Sequence, residues 1–186
     1  MTQLLVTDLA LEGLKCIERK RLGDARGFLS RIFCAEEIKG AGWKRPVAQV
    51  NHTYTARRGT VRGLHFQRPP KAEMKLVSCI RGEVWDVAVD IRAGSATLLH
   101  WCPQLLSAEN GRAMLIPEGF AHGFQALTDN VELLYCHSAP YDLTAEAGLN
   151  AQDPMLAISW PQLISELSSR DAQHPMLNEQ FAGVVS

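Results

Sequence analysis

The chain has 186 residues, with 19 Lys and Arg against 20 Asp and Glu and a formal net charge of -1. That balance excludes a nucleic acid or an anionic membrane surface as the main partner, although local basic residues can still hold a small phosphorylated ligand. The length predicts one domain over residues 1–186, large enough to bury roughly 70% of its unfolded surface without staples.

From the N-terminus, residues 1–8 lack a basic region followed by an apolar stretch, so no leader is expected. No apolar run nears the ~20 residues needed to span a bilayer. The five cysteines are scattered, odd in number and without a Cys-x-x-Cys pair, which predicts buried thiols in a reducing compartment. A cytoplasmic protein is expected.

Residues 34–40 predict a short helix closed by Gly40. Strands are predicted over residues 74–80, 84–91, 98–106, 112–116 and 131–138. Turns fall at Arg81-Gly82-Glu83, at residues 92–95 and at Pro117-Glu-Gly119. A second helix is predicted over residues 161–170, followed by an irregular tail over 172–186. Short, evenly punctuated strands predict an all-β sandwich or small barrel with a few short peripheral helices.

Parity assigns faces. In 84–91, Trp85, Val87, Val89 and Ile91 form an apolar face. Val84, Asp86, Ala88 and Asp90 form a small, acidic one, suited to solvent or to a polar lumen. Lys75 shares a face with Val77 and Cys79, as an edge-strand gatekeeper or as a lumen residue.

Several side chains have the chemistry for proton transfer. His65 follows Arg62-Gly63, where the glycine suggests a bulge or a close backbone approach. It reads either as a packed or surface histidine or as a general base. Tyr135 shares a strand face with Leu133 and His137, as a packing residue or as a proton donor. Asp171 lies just past the second predicted helix, where a solvated aspartate is the ordinary case. Six histidines are present, but none makes a His-x-His or His-x-x-x-His pair, so no metal site is expected. Gly-x-Ser-x-Gly, Gly-x-Gly-x-x-Gly and Walker-type loops are absent, against nucleophilic serine, dinucleotide or P-loop chemistry.

Seven segments occur in order: Asp24-Ala-Arg-Gly-Phe28, Gln49-Val-Asn51, Arg62-Gly-Leu-His-Phe-Gln67, Gly82-Glu-Val-Trp-Asp-Val-Ala-Val-Asp90, Leu106-Ser-Ala-Glu-Asn110, Ile116-Pro-Glu-Gly-Phe-Ala-His-Gly-Phe124 and Asp153-Pro. Over roughly residues 10–175 the chain resembles the dTDP-4-dehydrorhamnose 3,5-epimerase family of sugar-nucleotide epimerases. The resemblance implies a cupin-like jelly-roll β-barrel and a homodimer. It implies neither metal nor cofactor, and a nucleoside-diphosphate 4-keto-6-deoxyhexose as substrate. It places the family's base on His65, its orienting aspartate on Asp171, its enolate-stabilising lysine on Lys75 and its acid on Tyr135.

The same resemblance places sugar and diphosphate contacts on Arg26, Gln49, Asn51, Arg62, His122, Glu146 and Arg170, and a second pocket tyrosine on Tyr141. Phe28 and Arg31 join the substrate-binding set. N-terminal strands in the family cross to the partner subunit, so Arg26 is expected to serve the neighbour's site. The chain departs from the family at Arg31, where a glutamate is usual near the nucleobase. A cationic donor there suits the N3 and O2 acceptors of cytosine. Residues 97–101 lack the usual small residues, and residues 148–152 lack the usual tryptophan. Inversion at C3, C5 or both is therefore expected. The alternatives are a 3-only or 5-only epimerase for an unusual, CDP-linked deoxysugar, and a sugar-nucleotide binding module without turnover.

Overall fold

A computed structural model describes residues 2–185. Thirteen strands and two short helices are present among them. The larger sheet has six strands. In spatial order these are β1 (Leu4–Asp8), β2 (Lys15–Arg19), β10 (Arg112–Ile116), β7 (Lys75–Arg81), β12 (Val131–His137) and β5 (Gln49–Thr55). The facing sheet has five: β13 (Glu146–Gly148), β6 (Val61–Gln67), β11 (Phe120–Ala126), β8 (Glu83–Asp90) and β9 (Trp101–Ser107). A separate hairpin joins β3 (Arg21–Asp24) to β4 (Gly27–Ser30). Helix α1 covers Ala35–Lys39 and α2 covers Ser169–Ala172. All ladders are antiparallel, as the all-β, cupin-like expectation requires.

Alternation along the strands divides the apolar residues into three layers. Val77, Cys79, Leu133 and Met114 from one sheet meet Val84, Ala88, Leu106 and Phe124 from the other. Neighbouring residues of opposite parity, Leu76, Leu115 and Cys136, face outward beneath α1 and pack on Ile38 and Trp43. The apolar face of β8 also looks outward. Val87, Val89 and Ile91 are covered by Leu149, Leu156 and the C-terminal residues Leu177, Phe181 and Val184.

The acidic face of β8 is therefore the inner one. Asp86 and Asp90 are both fully buried, which settles the open choice for that face against solvent. Lys75 is settled likewise: β7 lies between β10 and β12, not at an edge, and Lys75 points inward. The glycine expectation at Gly63 also holds. A Cβ there would lie 2.6 Å from Gly123 Cα, and the β6–β11 register shifts between His122 and Phe124.

Two expectations are corrected. Residues 161–168 are not helical but irregular, with one isolated bridge at Glu166. Ser165 N–H donates to the Gly59 carbonyl and Val61 N–H to the Glu166 carbonyl, so this segment runs beside the start of β6. Leu163 is almost fully exposed; the apolar spacing that suggests a helical face is not used as one. Only the single turn of α2 is helical, starting at Ser168, whose side chain accepts from Asp171 N–H. Second, the strand expected over 98–106 starts at Trp101. Leu99 has φ 64°, and His100 N–H donates to the Thr97 carbonyl in a turn. The irregular tail is irregular but docked, with Val184 N–H donating to the Ile91 carbonyl at 2.6 Å.

Candidate active site

A cavity of about 820 Å³ opens between the two sheets, lined by His65, Lys75, Tyr135 and Asp171 among others. Each arrives from a different element. His65 comes from β6 and Tyr135 from β12, Lys75 opens β7, and Asp171 sits in α2.

His65 and Asp171 form a tight pair. Nε2 of the histidine lies 2.7 Å from Asp171 Oδ1, and Gly63 N–H donates to Oδ2 at 3.2 Å. Asp171 is 4% exposed, and burial alone would raise its carboxyl. The hydrogen bond and charge of His65, with the Gly63 and Ser168 contacts, overcome that and hold it below the ordinary aspartate value. An ionised carboxylate only accepts, so Nε2 carries the proton and Nδ1 keeps the lone pair. The ring is thereby set in the tautomer a base needs. Arg170 stands beside it, with Nη2 3.4 Å from His65 Nε2. Two donors do not bond each other, and the guanidinium is held instead by Glu146 at 2.8 and 2.9 Å.

Lys75 is 7% exposed. Its Nζ donates to the His65 carbonyl at 3.2 Å and pairs with Glu73 at 3.3 Å. Tyr135 packs between two histidine rings, edge-on to His122 and stacked on His137, each at 5.9 Å between centroids. Burial first, and the Asp86 charge second, push its phenol well upward, which favours the neutral form that can donate. The cavity thus holds a tautomer-fixed imidazole on one sheet and a buried cation and a buried phenol on neighbouring strands of the other. That set suits removal and return of a proton at a carbon acid.

The binding residues divide. Asn51, Arg62, His122, Tyr141, Glu146 and Arg170 line the cavity. Gln49 adjoins it, donating to Asn51 Oδ1 at 3.0 Å and accepting from Tyr141 N–H at 2.9 Å. Arg62 is braced by Thr55 Oγ1 at 3.0 Å, and His122 by the buried Asp86 at 2.8 Å. Arg26, Phe28 and Arg31 are not part of this chain's cavity lining. Arg26 pairs with Asp24 at 2.6 Å, Phe28 lies under the Arg21 guanidinium, and Arg31 pairs with Glu37. Their hairpin and the segment after it pair with neither large sheet.

Sequence reasoning missed Glu73, Asp86, His137 and His174. Parity marked the first three, since Glu73 precedes Lys75 by two residues, His137 follows Tyr135 by two, and Asp86 lies on the inward face of β8. His174 lies one helical turn beyond Asp171. Together His65, Asp171 and His174 place one ligand atom each within 4.8 Å, a two-histidine, one-carboxylate donor set. A search for paired histidines passes over an Asp-x-x-His spacing. Cys16, Cys79, Cys102 and Cys136 are buried and unpaired, and burial pushes their thiols up, that of Cys79 to about 11. They are packing residues. No described helix is long and apolar enough to cross a membrane.

A family model described as dTDP-4-dehydrorhamnose 3,5-epimerase matches residues 8–179. An enzyme of that name from Salmonella typhimurium is 40% identical over 178 residues, covering 95% of this chain and 97% of its own. The crystal structure of a dTDP-6-deoxy-D-glucose-3,5-epimerase from Legionella pneumophila, in complex with dTDP-4-keto-L-rhamnose, superposes with a TM-score of 0.90 at 35% identity, covering 98% of this chain and 99% of its own. A 3'-monoepimerase from Streptomyces bikiniensis, in complex with dTDP-quinovose, gives 0.85 at 36% identity over 90% of this chain and 85% of its own.

Proposed function

Because the chain belongs to the dTDP-4-dehydrorhamnose 3,5-epimerase family, we propose that it inverts C3, C5 or both of a nucleoside-diphosphate 4-keto-6-deoxyhexose through an enolate, with His65, Lys75, Tyr135 and Asp171 as its chemical groups. The ketone at C4 acidifies the neighbouring C–H bonds. His65 Nδ1 takes one proton, and the C–H electron pair moves onto the carbonyl oxygen. Lys75 donates to that oxyanion. Tyr135 returns a proton from the other face, which inverts the centre. Asp171 holds the imidazole tautomer throughout. Solvent in the open cavity resets the two proton carriers, and the net change is stereochemical.

The observation that carries this reading is the 2.7 Å His65–Asp171 pair in one cavity with the buried Lys75 and the protonated Tyr135. The test is deuterium uptake from heavy water into the ketosugar, followed by NMR. Uptake is expected for the wild type. Uptake that survives in His65→Ala would overturn the base assignment. Two equally fast exchanging positions support inversion at both carbons, whereas one supports the single-carbon alternative.

The reading takes residues 1–186 as one domain acting in the cytoplasm as a homodimer. Leu22, Phe28 and Leu29 on the β3–β4 hairpin are 45%, 60% and 71% exposed. An apolar hairpin of this kind supports docking on a second copy, with Arg26 and Phe28 reaching the neighbour's cavity. Arg31 then favours a base with acceptors at N3 and O2, as in cytosine.

A further inference from the structure

Glu73 and His137 are charged or titratable groups in the cavity wall that the mechanism above does not use. Both side chains are about nine-tenths buried. Strand geometry brings them to Lys75. Glu73 and Lys75 lie two residues apart on an extended segment and so face the same side. The residue between them is clamped: Met74 N–H donates to Ser138 Oγ at 2.7 Å, and Ser138 N–H donates to the Met74 carbonyl at 3.1 Å. On β12, His137 sits directly opposite Lys75 in the antiparallel register. One Glu73 oxygen therefore lies 3.3 Å from Lys75 Nζ and the other 2.8 Å from His137 Nδ1. Burial alone would raise the Glu73 carboxyl. The His137 hydrogen bond and the Lys75 charge overcome this and hold it below the ordinary glutamate value, so it is a carboxylate.

An ammonium has three N–H groups. Here one faces the His65 carbonyl and a second faces Glu73. With two arms of a tetrahedral tripod fixed, the direction of the third follows. We propose that Glu73 is a positioning residue that aims the third N–H of Lys75 at the enolate oxygen, with His137 as the strut that holds Glu73 in place. This rests on the reading of Lys75 as the partner of the enolate. A free lysine side chain loses up to about 2 kcal/mol of rotamer entropy on being fixed. Glu73 fixes it before the reaction begins, which is the condition for electrostatic preorganisation. A carboxylate this close also weakens the pull of the ammonium on the oxyanion, so Glu73 trades field strength for aim.

Glu73→Gln keeps the shape and removes the charge. Deuterium uptake and epimer formation are measured for the wild type, Glu73→Gln, Lys75→Met and the double variant. The expected result for Glu73→Gln is a kcat lower by about tenfold or more, the loss of one charge-assisted hydrogen bond, with KM changed far less. In the Lys75→Met background the same substitution costs little more, because the two act as a unit. A folded Glu73→Gln with the wild-type kcat, or full additivity in the double variant, overturns the proposal. If Glu73→Gln does not fold, His137→Phe is the second variant. It is expected to lower kcat by a smaller amount, and an unchanged kcat overturns the proposal. A wild type that exchanges no deuterium refutes the enolate reading itself, whereas exchange that Glu73→Gln leaves untouched refutes only the role of Glu73.

Discussion

The cavity wall and the β3–β4 hairpin both carry residues expected to touch substrate, but they differ in how those residues are held. In the wall, each histidine of the cavity has a carboxylate partner: His65 with Asp171, His122 with Asp86 and His137 with Glu73. These pairs are mostly buried, and both members of each come from this one chain. On the hairpin, Arg26 is paired with its near neighbour Asp24, and Phe28 and Leu29 face solvent. Buried polar groups need partners, and the histidines of the wall find theirs in its carboxylates. Exposed apolar groups need a surface, so the hairpin is finished only by contact with one. The proposed chemistry falls in the first region and the proposed binding reach in the second.

The sharpest break of that comparison is His65→Asn, expected to lower deuterium uptake by about 10²–10⁴; Lys75→Met is expected to cost about 10²–10³, the loss of one oxyanion donor. Near-wild-type exchange in either places the chemistry elsewhere. Tyr135→Phe separates the two half-reactions. His65 can still remove a proton and return a deuteron to the same face. NMR should therefore show label entering the starting sugar while epimer formation drops by about two orders of magnitude. Loss of both together would make Tyr135 part of the abstraction.

Arg26→Ala tests the hairpin. KM is expected to rise about tenfold, with kcat little changed. The decisive measurement mixes subunits. In a homodimer with exchanged arms, Arg26→Ala combined with His65→Asn creates hybrids in which one site has an intact wall and an intact arm. Activity above the sum of the separate variants is expected; no gain would mean that each arm serves its own cavity. The smallest effect is expected for Arg31→Glu. It should move the ratio of dTDP to CDP affinity toward dTDP by less than about tenfold, as read by calorimetric titration. A ratio that does not change removes Arg31 from base recognition.

Much of the fold was legible in the central third of the chain. Residues 74–91 alternate cleanly because one strand face is always buried against the other sheet, and their turn holds Gly82 at φ 73°, where a Cβ would lie 2.5 Å from Thr128 Oγ1. Residues 161–170 misled because their apolar spacing matches a helical stripe while their backbone hydrogen bonds go to Gly59 and Val61. Strands β1 to β6 carried too little alternation to stand out. In β5, exposed Val50 and Tyr54 flank half-buried polar residues that line the site, so its pattern is that of a cavity wall, not of a core.

By itself the sequence determined the family, the all-β class and the four residue types needed for proton transfer. These depend on local order along the chain, and the Arg62-Gly-Leu-His65 and Ile116-to-Phe124 runs preserve it. Only the tertiary structure decided that Asp171 is buried against a histidine 106 residues away. Only the register of β12 on β7 set His137 opposite Lys75 and brought Glu73 between them. The physical reason is that parity states which way a side chain points, whereas strand pairing and sheet closure state what it meets there.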